Sequence, residues 1–311
     1  MGVGHGHGHG GGAAGSGSAG HAGGRHRWRL GASFGLISAF FVVELVVGVV
    51  SGSLALISDA GHMAADVVTL GAALVATKIA TRADSTGRRT YGSYRAEVFA
   101  SGLAVLMMLG VAVYVVVEAI GRAGSEPDVE TGPMLGVGFL GLVVNLVAMA
   151  LLRGGSQDSL NVKGAYVEVV ADTAGSVGVM VAGGLILATG DGVWDTVVAF
   201  LIGAFVAVRA VLLGREVLAV LGQHVPAGVE IDTVAGALGG IDGVCDVHDL
   251  HAWTLTSGMH VATAHLVLDE GADGAGVLRQ GQLLLREQFQ IEHATLQIEG
   301  HRSAACDAVT W

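Results

Sequence analysis

Six stretches of the chain are apolar almost without interruption, at residues 30–50, 54–79, 96–120, 134–152, 165–189 and 193–213. Each approaches or exceeds the roughly 20 residues that a helix needs to cross the hydrocarbon core of a bilayer. Short polar breaks separate them. Ser51-Gly52-Ser53 reads as a tight turn, Glu126-Pro127-Asp128 interrupts after the third stretch, and Gly190-Asp191-Gly192 divides the last two. The spans are rich in Gly, Ala and Ser, which lets membrane helices approach one another closely.

Beyond residue 215 the pattern changes. Residues 229–238 place apolar side chains at helical spacing, whereas 244–255 and 259–268 alternate as strands do. Thr256-Ser257-Gly258 between them suits a hairpin turn, 277–289 reads as an amphipathic helix and 295–298 as a short third strand. The order αββαβ fits a small ferredoxin-like layer of helices on an antiparallel sheet. The expected fold is therefore an α-helical membrane protein: six transmembrane helices (30–215) followed by a C-terminal cytoplasmic α+β ferredoxin-like domain (216–311). Residues 1–29 form a His/Gly-rich leader without the apolar core of a signal peptide, expected to be disordered and cytoplasmic. His5, His7, His9 and His21 in it read either as weak metal capture or as a low-complexity tail without function.

Composition agrees with the spans. The chain is 52% hydrophobic and 14% charged, with a mean hydropathy of +0.63, where an ordinary soluble domain is about 25% charged. A net charge of −11 excludes nucleic acid as an expected partner. The two cysteines, Cys245 and Cys306, form no CxxC and imply no disulfide framework. Arg25, Arg27, Arg29, Lys78, Arg82, Arg88, Arg89, Arg95, Arg153, Lys163, Arg209 and Arg215 all fall on one side of the six spans. The other side holds Arg122 together with Glu126, Asp128, Glu130, Asp191 and Asp195. By the positive-inside rule both termini are expected in the cytoplasm; the compact chain, its lack of a targeting leader and its Gly/Ala/Val-heavy composition lead us to expect a bacterial plasma membrane.

Ionisable groups inside a membrane are costly, so each is a functional candidate. His62 and Asp66 lie four apart in the second span, and Glu168 and Asp172 four apart in the fifth. Residues at i and i+4 share one helix face, so two such helices can surround one ion with four side chains, the ligand count of a tetrahedral zinc site. A proton relay, or polar contacts that merely hold helices together, would use the same residue types; two matched pairs favour metal. Glu44, Glu97, Glu118 and Asn145 stand alone in their spans and read as structural or as lying near a water-filled cavity. Asn145 is placed to donate across helices, Glu97 to pair with Arg95, and Asp59 either to line the mouth of the cavity or to cap and orient the start of its helix.

Together these segments resemble the cation diffusion facilitator family of proton-coupled zinc and divalent-metal exporters. The resemblance rests on the run Ser51-Gly52-Ser53-Leu54-Ala55-Leu56-Ile57-Ser58-Asp59-Ala60-Gly61-His62-Met63-Ala64-Ala65-Asp66 and on Arg89-Thr90-Tyr91-Gly92 with Arg95-Ala96-Glu97. It also rests on Ala165-Tyr166, Asp172-Thr173-Ala174-Gly175-Ser176-Val177-Gly178, Val247-His248-Asp249-Leu250-His251-Ala252-Trp253-Thr254 and Ala264-His265. It implies a homodimer that carries Zn²⁺ as transported substrate at His62, Asp66, Glu168 and Asp172, with protons as the exchanged ion. It further implies regulatory Zn²⁺ in the cytoplasmic domain at His251, His265, His293 and Glu299. His248 and Trp253 are read from the residues as structural, His248 as a hydrogen-bonding strand residue and Trp253 as core.

Three positions depart from the family pattern. Glu168 stands where the zinc-exporting branch usually has histidine, and three carboxylates shift preference toward harder ions such as Mn²⁺ or Fe²⁺. Tyr94 replaces a histidine of a surface site, and the loop 153–163 has no histidine.

Alternative readings are the same transporter preferring manganese, iron, cobalt or cadmium, a membrane-anchored metal sensor or buffer, and a carrier of organic cations. The last would want aromatic residues around its site, and the chain is only 5% aromatic. An enzyme is not expected, since no nucleophile–base pair and no Walker-type phosphate loop is found.

Overall fold

The computed structural model describes residues 27–80, 90–91, 95–122, 129–153, 160–256 and 258–300. The leader histidines, Tyr94, the centre of the loop after Arg153 and Ser257 of the expected hairpin turn lie outside the described residues.

Six long helices come first: α1 (Arg27–Ser51), α2 (Leu54–Ala80), α3 (Arg95–Arg122), α4 (Thr131–Arg153), α5 (Leu160–Thr189) and α6 (Val193–Leu221). Five of them, all but α2, are long and apolar enough over their described residues to cross a membrane. The sixth, α2, has 27 residues and carries Asp59, His62 and Asp66, which interrupt its apolar run. The α1–α2 turn closes at Gly52, whose φ of 69° a residue with a Cβ seldom adopts. The last helix continues to Leu221, past the end of the apolar stretch. The tail follows as α7 (Ile231–Gly239), β1 (Val244–Thr256), β2 (Met259–Leu268), α8 (Gly274–Phe289) and β3 (His293–Glu299).

By contacts the chain forms two compact units. The first holds residues 1–63 and 126–198, hence α1, the start of α2, α4, α5 and the first turn of α6. Here α4 packs on both α1 and α5. Its buried positions Met134, Val137, Gly138, Gly141, Asn145, Ala148 and Leu152 recur at three or four residues and form one face. Small residues on that face set the spacing. A Cβ at Gly141 would come within 2.7 Å of Phe40 Cζ and 2.9 Å of Ser176 Oγ, so nothing larger than glycine fits without displacement. Asn145 Nδ2 donates to Ser176 Oγ at 3.3 Å, the expected bond across helices.

The second unit holds residues 64–125 and 199–311. Ala65, Ala104, Val105, Met108, Val206 and Ala210 form its intramembrane core, contributed by α2, α3 and α6. In the tail, α7 and α8 cover a three-stranded sheet of order β1-β2-β3. Val234, Leu238, Ile241, Ala262, Leu266, Val277, Leu285 and Ile291 fill the space between. β1 and β2 are antiparallel, but β3 runs parallel to β2. The uniformly antiparallel sheet expected from sequence is corrected here: α8 is a crossover that returns the chain before β3 begins, so β2 and β3 point the same way.

Glu97 also departs from expectation. Its Oε2 accepts from Thr256 Oγ1 at 3.2 Å, joining the start of α3 to the end of β1. Arg95 lies two residues away on the same helix and faces elsewhere.

Because Gly141 is closed in by α1 and α5, Gly141→Val is expected to destabilise the fold by about 1–3 kcal/mol, the usual cost of overpacking. A lowered thermal midpoint in detergent checks this; an unchanged midpoint would mean that α1 and α5 do not close on Gly141.

Candidate metal centres

The first centre is built on α2 and α5. Alanine and leucine around positions 59–66 keep α2 helical while leaving room beside the polar side chains. His62, Asp172 and Asp59 are each 2% exposed. His62 Nε2 lies 3.4 Å from Asp172 Oδ1, joining the second and fifth helices at this level. Asp66, also buried, follows His62 by one turn of the unbroken helix and completes a group of three buried ligand-type residues. Glu168 sits one turn before Asp172 on α5, half-buried, with its Oε2 enclosed. It is outside the close group. Of the four residues expected from sequence, then, His62, Asp66 and Asp172 come together, while Glu168 extends the α5 face by a turn.

Two further acids sit beside this centre. Asp59 faces Glu44 of α1, and Glu44 is within electrostatic reach of Asp172. Glu44 is fully buried. Asp59 lies directly against the backbone of α5: a Cβ at Gly175 would collide with its Oδ1. Of the two placements expected for Asp59, the helix cap is not the one found. Ser53 caps the helix, its Oγ accepting from Leu56 N at 3.2 Å. Spacing within one helix could not pair Glu44 with Asp59, because they meet across two helices; the signal available in sequence was the glycine in Asp172-Thr173-Ala174-Gly175.

The second centre is on the tail sheet. His248 and His265 are direct cross-strand partners, with ring centroids 5.2 Å apart in an edge-on arrangement. Glu299 ends β3 with its side chain 7% exposed. Its Oε1 is 3.0 Å from His265 Nδ1 and its Oε2 3.6 Å from His248 Nε2. One ligand atom from each of the three lies within 4.8 Å of the others. Asp249 extends the cluster, its Oδ1 3.0 Å from His251 Nε2 and its Oδ2 3.6 Å from His265 Nε2. Asp249 holds φ at 50°, within a β-bulge between His248 and His251; the irregularity lets His248, Asp249 and His251 join one polar cluster although Leu250 intervenes.

Among the tail residues expected from sequence, His265 and Glu299 meet and His251 is joined to them through Asp249. His293 stands apart. It lies four residues before Gln297, the β3 partner of His265, about 13 Å along the strand. There its ring meets Tyr91 edge-on at 5.6 Å. His248, read from sequence as structural, belongs to the close group.

Comparison with known proteins agrees with this architecture. Residues 30–221 match the family described as cation efflux transmembrane domain, and residues 226–301 the cation efflux protein cytoplasmic domain. Among curated relatives, the metal cation efflux system protein CzcD of Cupriavidus metallidurans is 42% identical over 90% of this chain and 88% of its own length. The cadmium, cobalt and zinc/H(+)-K(+) antiporter of Bacillus subtilis is 32% identical over 90% and 91%. The zinc transporter ZitB of Escherichia coli is 34% identical over 87% of each. A solved structure of the metal-bound C-terminal domain of a CzcD transporter matches 23% of this chain and 99% of its own, at 36% identity and a TM-score of 0.22. Two matched family segments and long relatives above 30% identity place the chain in the cation diffusion facilitator family, integral membrane proteins that move divalent metal cations and are not enzymes.

Proposed function

We propose that this chain exports a divalent transition-metal ion, zinc foremost, from the cytoplasm of a bacterium in exchange for protons. The observation that carries the reading is the buried approach of His62 Nε2 to Asp172 Oδ1 at 3.4 Å. A tetrahedral zinc ion with ligand bonds of about 2.0–2.1 Å holds neighbouring ligand atoms roughly 3.3–3.4 Å apart. Asp66 and Glu168 supply the remaining oxygens, one turn away on each helix. His62 is neutral when it binds metal, and the carboxylates are ionised. Like charges in so small a space disfavour joint ionisation. Protons therefore compete with the metal for the same atoms, and a proton gradient can drive its release on the far side. Movement of α2 against α5 opens the site to one side and then the other.

The distribution of Lys and Arg supports cytoplasmic termini, and the relatives named as efflux systems support export as the direction. The relatives named for zinc, cadmium and cobalt support a soft or borderline ion. Glu168 broadens that choice, because carboxylates also suit harder ions. The tail is read as a metal-sensing domain of a homodimer. His248, His265 and Glu299 hold the ion, with Asp249 and His251 beside them. Two acidic tails repel each other, and bound cations offset that repulsion. The tail cluster also supports a second reading, a membrane-anchored sensor that transports nothing; under it the buried residues of α2 and α5 have no role.

In proteoliposomes with an imposed pH gradient, Zn²⁺ flux is expected in the wild type, with Cd²⁺, Co²⁺ and Mn²⁺ compared alongside. Asp66→Ala should lower that flux by at least about 100-fold, beyond the loss typical of residues that only orient a ligand. Wild-type flux in the folded variant would remove Asp66 from the site, and absence of flux in the wild type would favour the sensor reading. Glu168→His should shift the Zn²⁺/Mn²⁺ flux ratio toward zinc by about tenfold; an unchanged ratio would mean that Glu168 does not touch the ion. His265→Ala should weaken zinc binding to the tail by at least about 100-fold, again beyond the loss typical of residues that only orient a ligand, in equilibrium dialysis, with His293→Ala retaining wild-type binding.

A further inference from the structure

Asp195 is fully buried in the first turn of α6, yet its side chain serves another helix. The first N–H groups of a helix have no partner within it. Leu54 N donates to Asp195 Oδ2 at 2.7 Å and Ala55 N to Oδ1 at 3.2 Å. Ser53 Oγ donates to Oδ1 at 2.7 Å. One carboxylate on α6 thus receives three hydrogen bonds from the start of α2, where the positive end of the helix dipole also favours an anion. Ser53 supplies a cap within α2 itself, so Asp195 adds a tether between helices.

The tether continues to α5. Trp194 Nε1 donates to Thr189 Oγ1 at 3.1 Å, and Val193 N to Asp191 Oδ1 at 2.8 Å. The start of α6 is thereby fastened to the end of α5. The same helix α5 carries Glu168 and Asp172, and α2 carries His62 eight residues after Leu54, about 12 Å along its axis. A slip of α2 by one residue would move His62 by about 1.5 Å along the axis and about 100° around it. His62 would then no longer face Asp172.

We infer that Asp195 is a positioning residue for metal transport: by holding the start of α2 to the α5–α6 connection, it fixes the height and rotation at which His62 meets Asp172. The inference rests on the transport-site reading given above. The carboxylate does not touch the ion. Its loss should weaken capture of the metal more than it slows the turnover of captured metal.

The test uses the full chain in proteoliposomes and measures KM and kcat for Zn²⁺ flux in Asp195→Ala, Asp195→Asn and Asp172→Ala, with gel-filtration and thermal profiles of each. Asp195→Ala is expected to raise KM at least tenfold while kcat falls less. Asp195→Asn, which keeps one acceptor oxygen, should give an intermediate KM and serves as the variant of record if the alanine form does not fold. Asp172→Ala should abolish flux. A wild-type KM in the folded Asp195 variant, with Asp172→Ala inactive, overturns the positioning role and leaves the transport site standing. Equal losses of kcat and thermal stability at wild-type KM also overturn it, in favour of a structural role. Flux in Asp172→Ala overturns the transport-site reading itself.

Discussion

Burial of acid and imidazole groups among alanine, valine and leucine is the constraint around which the helical part of this protein is organised. A carboxylate removed from water is costly unless something compensates it. The compensation here is geometric. Asp59, His62 and Asp172 occupy one level of the α2–α5 contact, with Glu44 of α1 beside them. The helices can come that close because small residues line the approach. Gly175 leaves the space that Asp59 fills, and Gly141 lets Phe40 and Ser176 close over α4. A polar cluster of this kind is stable only where backbones pack tightly enough to exclude competing water, and the glycines make that packing possible.

A second device works at the helix ends. Glu130 N donates to the carbonyl of Ser51 at 3.1 Å, and Asp195 gathers the first N–H groups of α2. The turn between α1 and α2 is thus held by the beginnings of α4 and α6. A transporter needs helices that move, but movement is useful only about fixed points. These hydrogen bonds, buried and partly charge-assisted, are strong enough to supply one.

The tail manages charge on different terms. It is water-facing and acidic, and its histidines and carboxylates alternate in space: His251, Asp249, His265, Glu299 and His248 follow one another at 3.0–3.6 Å. His265 lies between Asp249 and Glu299, His248 between Glu299 and Asp246, and the carboxylates of Asp249 and Glu299 each lie between two imidazole nitrogens. Such a chain can be satisfied by protons or by a cation, which ties the state of the domain to the ions around it. Gln297 Nε2 donates to Glu299 Oε1 at 2.7 Å and holds that carboxylate in place.

The sequence by itself determined the class of the protein. Six apolar stretches can be satisfied only as helices in lipid, because backbone groups there have no other partner, and the i,i+4 spacing of His62 with Asp66 and of Glu168 with Asp172 put two ionisable side chains on one face of each of two helices. Strand alternation and the Thr256–Gly258 turn likewise marked the hairpin. What the tertiary structure decided was how separate elements meet. Glu44 with Asp59, and Asp195 with the start of α2, are contacts between helices far apart in sequence, and no local period encodes them. In the hairpin, an unbroken register from the Thr256–Met259 pair would set His248 opposite Val267 and His265 opposite Leu250. Two irregularities, between Thr254 and Thr256 and between His248 and His251, shift the pairing so that His248 faces His265. The direction of β3 was likewise set by the α8 crossover. Periodicity reports which face of an element is buried; bulges, crossovers and the packing of distant helices decide which buried faces touch, and those depend on the whole chain at once.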